Sequence, residues 1–160
     1  MDKGNVVTLE VLLKERARFR NEKKTVVFTN GVFDIIHKGH VEYLSKAKAL
    51  GDILIVGMNS DASVKRIKGP LRPIVDEADR AYVLANLKPV DYVFIFEEDT
   101  PFALISAVVP DVLVKGADWD ISKIVGREVV EDAGGSVQTI EFVPDRSTTN
   151  IIQRIKERCP

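Results

Sequence analysis

Short apolar runs rich in β-branched residues recur along the chain and predict β-strands. Five such runs occupy residues 25–29, 53–58, 92–96, 112–115 and 137–143. Apolar residues fill most of their positions, and such near-continuous runs are typical of strands buried on both faces of a sheet. The pattern therefore predicts a sheet of about five strands that is covered on both sides.

The segments between these runs carry apolar residues three or four positions apart, which predicts helices. They are expected near 41–51, 76–88 and 101–109, with a leading helix over about 8–20 and a closing helix over about 148–158. Thr100 is a candidate N-cap with Pro101 at the first helical position, and Gly51 is a candidate helix stop. Strands that alternate with helices imply β-α-β crossovers and a parallel sheet. The predicted fold class is α/β: one Rossmann-like, doubly wound domain, which binds ligands at the carboxyl ends of its strands.

Length and charge narrow the classes of function. The 160 residues suffice for about one domain, with residues 1–23 as a leading helical segment and 24–155 as the core. The formal net charge of −1 argues against binding nucleic acid through a broad basic surface. Any site for an anion must therefore be local.

Cysteine content and the N-terminal pattern bear on the compartment. The chain has one cysteine, Cys159, so it can form neither an internal disulfide nor a cysteine-based metal cluster. Its first residues lack the basic and apolar pattern of a signal peptide, and no run approaches the roughly 18 apolar residues of a membrane span. We expect a cytoplasmic protein without a membrane partner.

Both histidines of the chain fall in one motif, His37-Lys38-Gly39-His40, which follows the first predicted strand. The N-terminus of the next helix offers unpaired N–H groups and the positive end of the helix dipole, so this turn can receive a phosphate. Two imidazoles separated by two residues can both face that anion, and Gly39 leaves room for a base or a phosphate near the backbone. The four residues alone are equally compatible with a polar surface, so their surroundings must decide.

A second cluster is the basic run at residues 65–72, after the second predicted strand. On its own such a run is more typical of a solvated loop. Because the second strand should lie beside the first, the loop that follows it can also reach the phosphate site. Lys65 and Arg72 are the candidates for phosphate contact, followed by Lys68.

These motifs carry a family resemblance. Residues 29–41 resemble the nucleotidyltransferases of the cytidylyltransferase-like superfamily, which have a His-x-Gly-His motif after the first strand of a Rossmann-like sheet. Further matching segments follow in order at 50–52, 59–63, 68–69, 72–73, 114–116 and 147–152. Together they span residues 24–155 and look most like the heptose 1-phosphate adenylyltransferase domains of bacterial ADP-heptose synthases.

The resemblance implies an ATP-dependent enzyme of lipopolysaccharide core biosynthesis. Its acceptor would be D-glycero-β-D-manno-heptose 1-phosphate, whose phosphate attacks the α-phosphorus of ATP directly and releases pyrophosphate. Such a transfer needs residues that align the phosphates and stabilise charge. Mg²⁺ is expected to arrive with ATP rather than in a site built from protein ligands. A separate sugar kinase is the expected pathway partner, because many relatives carry this domain fused behind one, and the dimerisation common in the superfamily leaves a homodimer open.

The resemblance also assigns roles to individual residues. The catalytic candidates are His37, His40, Lys65 and Arg72. The nucleotide-binding candidates are Thr29, Asn30, Gly31, Phe33, Asp34, Gly39, Lys115, Gly116, Asp118, Arg146, Ser147 and Thr148. Further candidates are Lys68, Arg80, Asn59 and Asp61.

Four of these residues have two interpretations each. Asp34 either braces the turn after the first strand or contacts substrate. Arg80 either faces the site or lies on a helix surface. Ser147 and Thr148 either cap the last helix or hold the outer phosphates of ATP. At Gly116, the resemblance implies a close approach of the backbone to the base or ribose.

Other functions remain open. One is a cytidylyltransferase that acts on glycerol 3-phosphate or another alcohol phosphate. Those enzymes more often begin the motif with Gly-Thr-Phe-Asp where this chain has Asn30-Gly31-Val32-Phe33-Asp34, which favours heptose. A nucleotide-binding module without catalysis and a structural subunit are further alternatives. A P-loop NTPase and a serine hydrolase are disfavoured, because the chain lacks the glycine-rich motif of either class.

Overall fold

Five parallel strands form the centre of the computed structural model, which describes residues 5–144 and 146–159. The strands are β1 (Val26–Gly31), β2 (Ile53–Asn59), β3 (Tyr92–Phe96), β4 (Val112–Gly116) and β5 (Ser136–Ile140). The helices are α1 (Leu9–Asn21), α2 (Lys38–Lys48), α3 (Asp61–Lys68), α4 (Glu77–Ala85), α5 (Phe102–Val108), α6 (Arg127–Asp132) and α7 (Thr148–Arg158), with a 3₁₀ turn at Ile121–Lys123. The predicted α/β class is confirmed.

The strand order is β3-β2-β1-β4-β5, so the chain runs outward from β1 to β3 and then returns to the other side of β1. All neighbouring strands pair in parallel. The direction of winding reverses between β1 and β4, and such a reversal opens a crevice at the carboxyl ends of these two strands. This topology confirms the doubly wound, Rossmann-like prediction and fixes where a ligand site is expected.

Two apolar clusters cover the two faces of the sheet. On one face Val27 and Leu54 pack with side chains of α2 and α4. On the other face Val26, Phe28 and Ile55 pack with side chains of α1, α5 and α6. Successive residues of β1 therefore point to opposite clusters, and this is why its sequence is apolar without alternation.

Several predicted boundaries differ from the structure. Strand β5 ends at Ile140 rather than at residue 143, because Ile140 pairs with Gly116, where its neighbour β4 ends. Helix α3 covers part of the basic run expected to be a loop. It begins after Ser60, whose side chain accepts a hydrogen bond from the Ser63 N–H. Helix α6 was also not predicted.

Two predicted helix signals are wrong in detail. The N-cap of α5 is Pro101 rather than Thr100, and no side chain caps that helix end. Helix α2 has its C-cap at Ala49, and Gly51 has no left-handed backbone. Gly51 is needed for its small size instead, because a Cβ there would lie 2.7 Å from Val27 Cγ2.

Among the helices of residues 5–144 and 146–159, none combines the length and apolar character needed to cross a membrane.

Candidate active site

A cavity of about 530 Å³ opens at the carboxyl ends of the strands. Its walls come from the segments that follow β1, β2, β3 and β4 and from the start of α7. Six of the predicted nucleotide-binding residues line it: Asn30, Gly31, Phe33, Asp34, Lys115 and Thr148. The cavity therefore lies at the edge of the sheet where the topology predicts a site.

The two histidines form a stacked pair at the start of α2. Their ring centroids are 3.9 Å apart, and the planes are inclined by 25°. His37 is the N-cap residue, but its side chain makes no capping hydrogen bond. The His40 ring lines the cavity and also packs against Phe33, 5.3 Å between centroids. The helix N-terminus and both imidazoles thus lie together, but of the two histidines only His40 is among the residues that line the cavity.

Gly39 allows this stacking, and it does so for a reason other than the expected one. A Cβ at Gly39 would lie 3.0 Å from His37 Nδ1 and 3.1 Å from Arg146 Cβ. The space that a side chain would need is therefore taken by the protein itself rather than kept for a ligand. The glycine lets the His37 ring fold back over the first turn of α2.

Burial favours the neutral form of both imidazoles. Burial and the nearby His37 lower the pKa of His40 to about 4. Burial, and then the charge of Arg146, lower the pKa of His37. Within the described part of the chain, neither Nδ1 atom has a hydrogen-bond partner. Buried polar atoms rarely stay unpaired, so this pair is a candidate for binding a ligand.

The low pKa of His40 predicts a loss of stability in mild acid. The unfolded chain takes up a proton near pH 6.5, whereas the folded protein does so only at about pH 4. The free energy of unfolding should therefore be highest above pH 6.5 and fall through this window. Urea unfolding at several pH values measures this free energy, which should fall less steeply with pH in the His40→Gln variant. Parallel pH profiles for the two proteins would contradict the assignment.

The turn after β1 is braced by Asp34. Its carboxylate accepts hydrogen bonds from Arg72 Nε at 2.6 Å and from the Ile74 and Val75 N–H groups, each at 2.9 Å. Burial alone raises the pKa of Asp34, but the hydrogen bonds from Val75, Ile74 and Arg72 outweigh it and the net pKa is lowered. Phe33 beside it holds a left-handed backbone with φ of 49°, which is strained for a side-chain-bearing residue. The geometry supports the bracing role of Asp34.

The basic run is only partly directed to the cavity. Arg72 and Lys68 line it, so the loop after β2 does reach the site that follows β1. Lys65 is exposed on α3 and is not among the lining residues. The structure thus does not bring Lys65 together with the histidines.

Arg80 is a buried connector, and its interpretation as a surface residue is wrong. It is 1% exposed and donates to Val32 O at 2.6 Å, Asn59 O at 2.9 Å and Asp61 Oδ1 at 2.7 Å. It does not line the cavity, and Asp61, which pairs with it, does not either. Asn59 does line it, although its side-chain amide donates to Ser63 Oγ. Arg80 therefore links the ends of β1 and β2 to each other without lining the cavity.

The β4 side of the cavity holds Lys115. Its ammonium donates to Asn30 Oδ1 and lies 5.6 Å from the centroid of the exposed Trp119 ring. Burial lowers the pKa of Lys115 to about 8, against the opposing effect of the Asp118 carboxylate, which lies at the exposed surface. Trp119 also lines the cavity, so this side combines a cation, an amide and an aromatic face.

Gly116 and Thr29 support the site through packing. A Cβ at Gly116 would lie 2.0 Å from Phe142 Cε2, so the glycine makes room for a protein ring where an approach of the nucleotide was expected. Phe142 in turn stacks on Tyr43, 5.4 Å between centroids. Thr29 is fully buried beneath the site, where its hydroxyl donates to Val114 O and lies 2.8 Å from the Tyr43 hydroxyl. The geometry gives Thr29 no exposed atom for a ligand.

The start of α7 faces the same cavity. Ser147 is its N-cap and accepts a hydrogen bond from the Asn150 N–H at 3.0 Å. Thr148 and Thr149 line the cavity, and the Thr148 hydroxyl donates to Ile35 O at 3.3 Å. Arg146 is exposed and packs over Gly39. Two helix N-termini, those of α2 and α7, therefore border one cavity.

The wall of the cavity that follows β3 was not predicted from the sequence. Asp99, Thr100 and Pro101 line the cavity, as do Ile67 and Val125. The sequence does carry a signal for it, because Asp99 lies in the short segment after the predicted strand 92–96, whose end must lie at the ligand-binding edge of the sheet. No three His, Cys, Asp or Glu side chains of the described residues come together as a metal site.

Comparison with family models and curated proteins identifies relatives over most of the chain. Residues 28–154 match the family described as Cytidylyltransferase-like. Bifunctional protein HldE of Citrifermentans bemidjiense is 54% identical over 152 residues, which are 95% of this chain and 31% of that protein. Bifunctional protein HldE of Helicobacter pylori is 55% identical over 154 residues, 96% of this chain and 32% of that protein. The chain thus spans about a third of the length of these relatives.

Two solved structures are also similar to this chain. The lipopolysaccharide core biosynthesis protein from Thermoplasma volcanium superposes with a TM-score of 0.62 at 32% identity, covering 75% of this chain and 97% of that one. Pantothenate synthetase from Thermus thermophilus, at 18% identity and a TM-score of 0.59 over 92% of this chain and 67% of that one, shares the fold. The family match over residues 28–154 and the relatives above half identity lead to one conclusion: the chain belongs to the cytidylyltransferase-like family of nucleotidyltransferases.

Proposed function

We propose that this protein transfers AMP from ATP to D-glycero-β-D-manno-heptose 1-phosphate, forming ADP-heptose and pyrophosphate for the lipopolysaccharide core. The observation that carries the proposal is the stacked His37–His40 pair at the N-terminus of α2, in which both Nδ1 atoms are unpaired within the described residues and His40 lines a cavity of about 530 Å³. The ordered motifs shared with ADP-heptose synthases and the relatives above 50% identity support the choice of donor and acceptor.

The reaction is a direct displacement at phosphorus. An oxygen of the sugar phosphate attacks the α-phosphorus of ATP, and the bond from that phosphorus to the bridging oxygen of the β-phosphate breaks. Pyrophosphate leaves with the electron pair of that bond, and no residue of the protein becomes covalently modified. The imidazoles of His37 and His40 donate hydrogen bonds to the phosphoryl oxygens, where negative charge accumulates.

Cationic side chains around the cavity suit a triphosphate. Lys68, Arg72 and Lys115 all line it, and the N-termini of α2 and α7 add the positive ends of their dipoles. Asp34 holds Arg72 through Nε, which fixes the direction of the guanidinium before substrate arrives. Such preorganised charge costs no rearrangement during the reaction.

Mg²⁺ fits this site as a companion of ATP. Both oxygens of Asp34 already accept hydrogen bonds from the protein, so this carboxylate is not free to bind a metal ion. Mg²⁺ prefers phosphate oxygens and water as ligands, and it would neutralise charge on the triphosphate when it arrives with ATP. In the same proposal the protein works in the cytoplasm, a homodimer stays open, and a sugar kinase acts earlier in the pathway.

Hydroxyl groups at the start of α7 give a prediction that separates ATP binding from helix capping. Thr148→Ala should raise the KM for ATP about threefold to tenfold, because it removes a hydroxyl at the cavity that can donate to a phosphate only by leaving Ile35 O. Ser147→Ala should mainly lower the free energy of unfolding by about 1 kcal/mol, because its hydroxyl caps the helix. Initial rates and urea unfolding of both variants measure this. An unchanged KM in Thr148→Ala would restrict the segment to capping.

The experiment that tests the proposed function is a substrate panel. Purified protein with Mg²⁺ is given ATP, CTP, GTP or UTP against heptose 1-phosphate, other sugar 1-phosphates and glycerol 3-phosphate, and pyrophosphate release is followed. Release with ATP and heptose 1-phosphate alone is the expected result. Release with CTP and glycerol 3-phosphate would replace the substrates. Nucleotide binding without release in any combination would indicate a module without catalysis.

A further inference from the structure

Asp99 brings an acidic group into a cavity whose other charged side chains suit phosphate. The remaining charged residues of the lining are the cations Lys68, Arg72 and Lys115, and Asp34, which is neutralised by Arg72 and two backbone N–H groups. Asp99 is paired too, but with Arg66, which is not part of the lining. Its Oδ1 takes this bond at 2.7 Å, which leaves Oδ2 available.

The segment that carries Asp99 is fixed to α3 by several hydrogen bonds. Arg66 donates through Nε to Asp99 and through Nη2 to Glu97 O. Ser63 Oγ donates to Glu98 O at 2.8 Å, and the Ser60 N–H donates to Phe96 O at 2.8 Å. A carboxylate on an exposed loop would usually be free to turn away. Here its position is set before any ligand binds.

The sheet places Asp99 to one side of the phosphate site. It follows β3, whereas the histidine motif follows β1, and β2 lies between them. Two strand spacings correspond to about 10 Å, roughly the distance from a phosphate to the far side of a sugar ring attached to it. A carboxylate repels phosphate but accepts hydrogen bonds from hydroxyl groups. The chemistry at this wall therefore suits the neutral, hydroxyl-bearing part of an acceptor.

We infer that Asp99 binds hydroxyl groups of the acceptor sugar and that the wall after β3 is the polyol subsite of the cavity. The inference rests on the proposed function, because it assumes a sugar phosphate acceptor. The neighbouring Thr100 adds a hydroxyl that can donate or accept, and Ile67, Pro101 and Val125 offer apolar surface to the C–H groups of a sugar. Asp99 is thus a specificity-determining residue for the acceptor.

The test compares Asp99→Asn and Asp99→Ala with the wild-type protein. Both variants lose hydrogen bonds from sugar hydroxyl groups to the charged Asp99 carboxylate. This loss should raise the KM for heptose 1-phosphate about 10- to 100-fold, whereas the KM for ATP should stay within about twofold of wild type. Glu98→Gln is the matched control, because Glu98 is an exposed carboxylate of the same segment and does not line the cavity. It should leave both KM values unchanged.

A second variant separates ligand binding from loop structure. Arg66→Gln removes the partner of Asp99 and keeps the carboxylate, so it should raise the acceptor KM less than Asp99→Ala does. If Asp99 served only to pair with Arg66, the two variants would behave alike, and the inference would be wrong. A rise in the KM for ATP, or no change in either KM, in Asp99→Asn would overturn it as well.

Binding of the acceptor without turnover distinguishes failure of this inference from failure of the proposed function. Calorimetry of heptose 1-phosphate binding, with Mg²⁺ and α,β-methylene-ATP present, is run on wild type and Asp99→Asn. If wild type binds the sugar phosphate, weaker binding by the variant supports the role of Asp99 even where turnover is absent and the proposed function fails. Equal binding by both proteins, or no binding by wild type, rejects the polyol subsite.

Discussion

Replacing His40 with alanine is expected to lower turnover by about 100-fold or more while the protein stays folded. The imidazole lines the cavity at the N-terminus of α2 and is held by stacking on His37 and by contact with Phe33. A donor preorganised toward developing charge typically contributes a rate factor of about 10² to 10³. Because the contact is needed most in the transition state, kcat should fall more than the KM for ATP rises.

Steady-state rates with ATP and heptose 1-phosphate measure this effect, with circular dichroism and urea unfolding to show that the variant folds. Lys38→Ala is the matched control, because Lys38 belongs to the same motif but is exposed and pairs with Glu42 at 3.1 Å. It should retain nearly full activity. Near-normal turnover of the His40 variant would remove His40 from the reaction.

Replacing Asp34 with alanine should have the second large effect, and it acts on stability first. The substitution strands the Arg72 guanidinium and the N–H groups of Ile74 and Val75, all now bonded to one buried carboxylate. Breaking a buried pair by removing one partner costs about 3 kcal/mol or more. Turnover should also fall, because Arg72 loses the contact that orients it toward the cavity.

Urea unfolding and rate measurements on the same preparation test this, with Asp132→Ala, an exposed carboxylate at the end of α6, as the control. The lowered pKa of Asp34 provides an independent test. The stability that its ionised carboxylate contributes is present above pH 3.8, the usual pKa of the group, and is lost as the pH falls through its lower folded-state pKa. An Asp34→Ala variant as stable as wild type would contradict the brace.

The fold was largely predictable because each central strand is buried on both faces. Val26, Val27 and Phe28 belong alternately to the two cores, and this leaves the continuous apolar pattern in the sequence. Strand β5 was predicted too long, since its residues are mostly exposed at a sheet edge and only pairing with β4 defines where it ends. Helix α3 was missed because its charged residues resemble a loop, whereas its formation depends on the cap at Ser60.

The site was predictable where chemistry is concentrated in a short segment, and less so where it depends on packing. The histidine motif indicated the phosphate region directly. The role of Gly39 could not be deduced, because the ring that needs its space is placed by the fold. Arg80 looked equally suited to the surface and to the site, and only the convergence of Val32 O, Asn59 O and Asp61 around it explains its burial. Asp99 was overlooked because no motif surrounds it.

The most direct test of the central claim is to quantify products from one reaction of the protein with Mg²⁺, ATP and D-glycero-β-D-manno-heptose 1-phosphate. Mass spectrometry identifies the nucleotide sugar, and an enzymatic assay counts pyrophosphate in the same sample. The account predicts ADP-heptose and pyrophosphate in equal amounts, both strongly reduced in the His40→Ala variant. Pyrophosphate without nucleotide sugar, or equal product from the His40 variant, would contradict it.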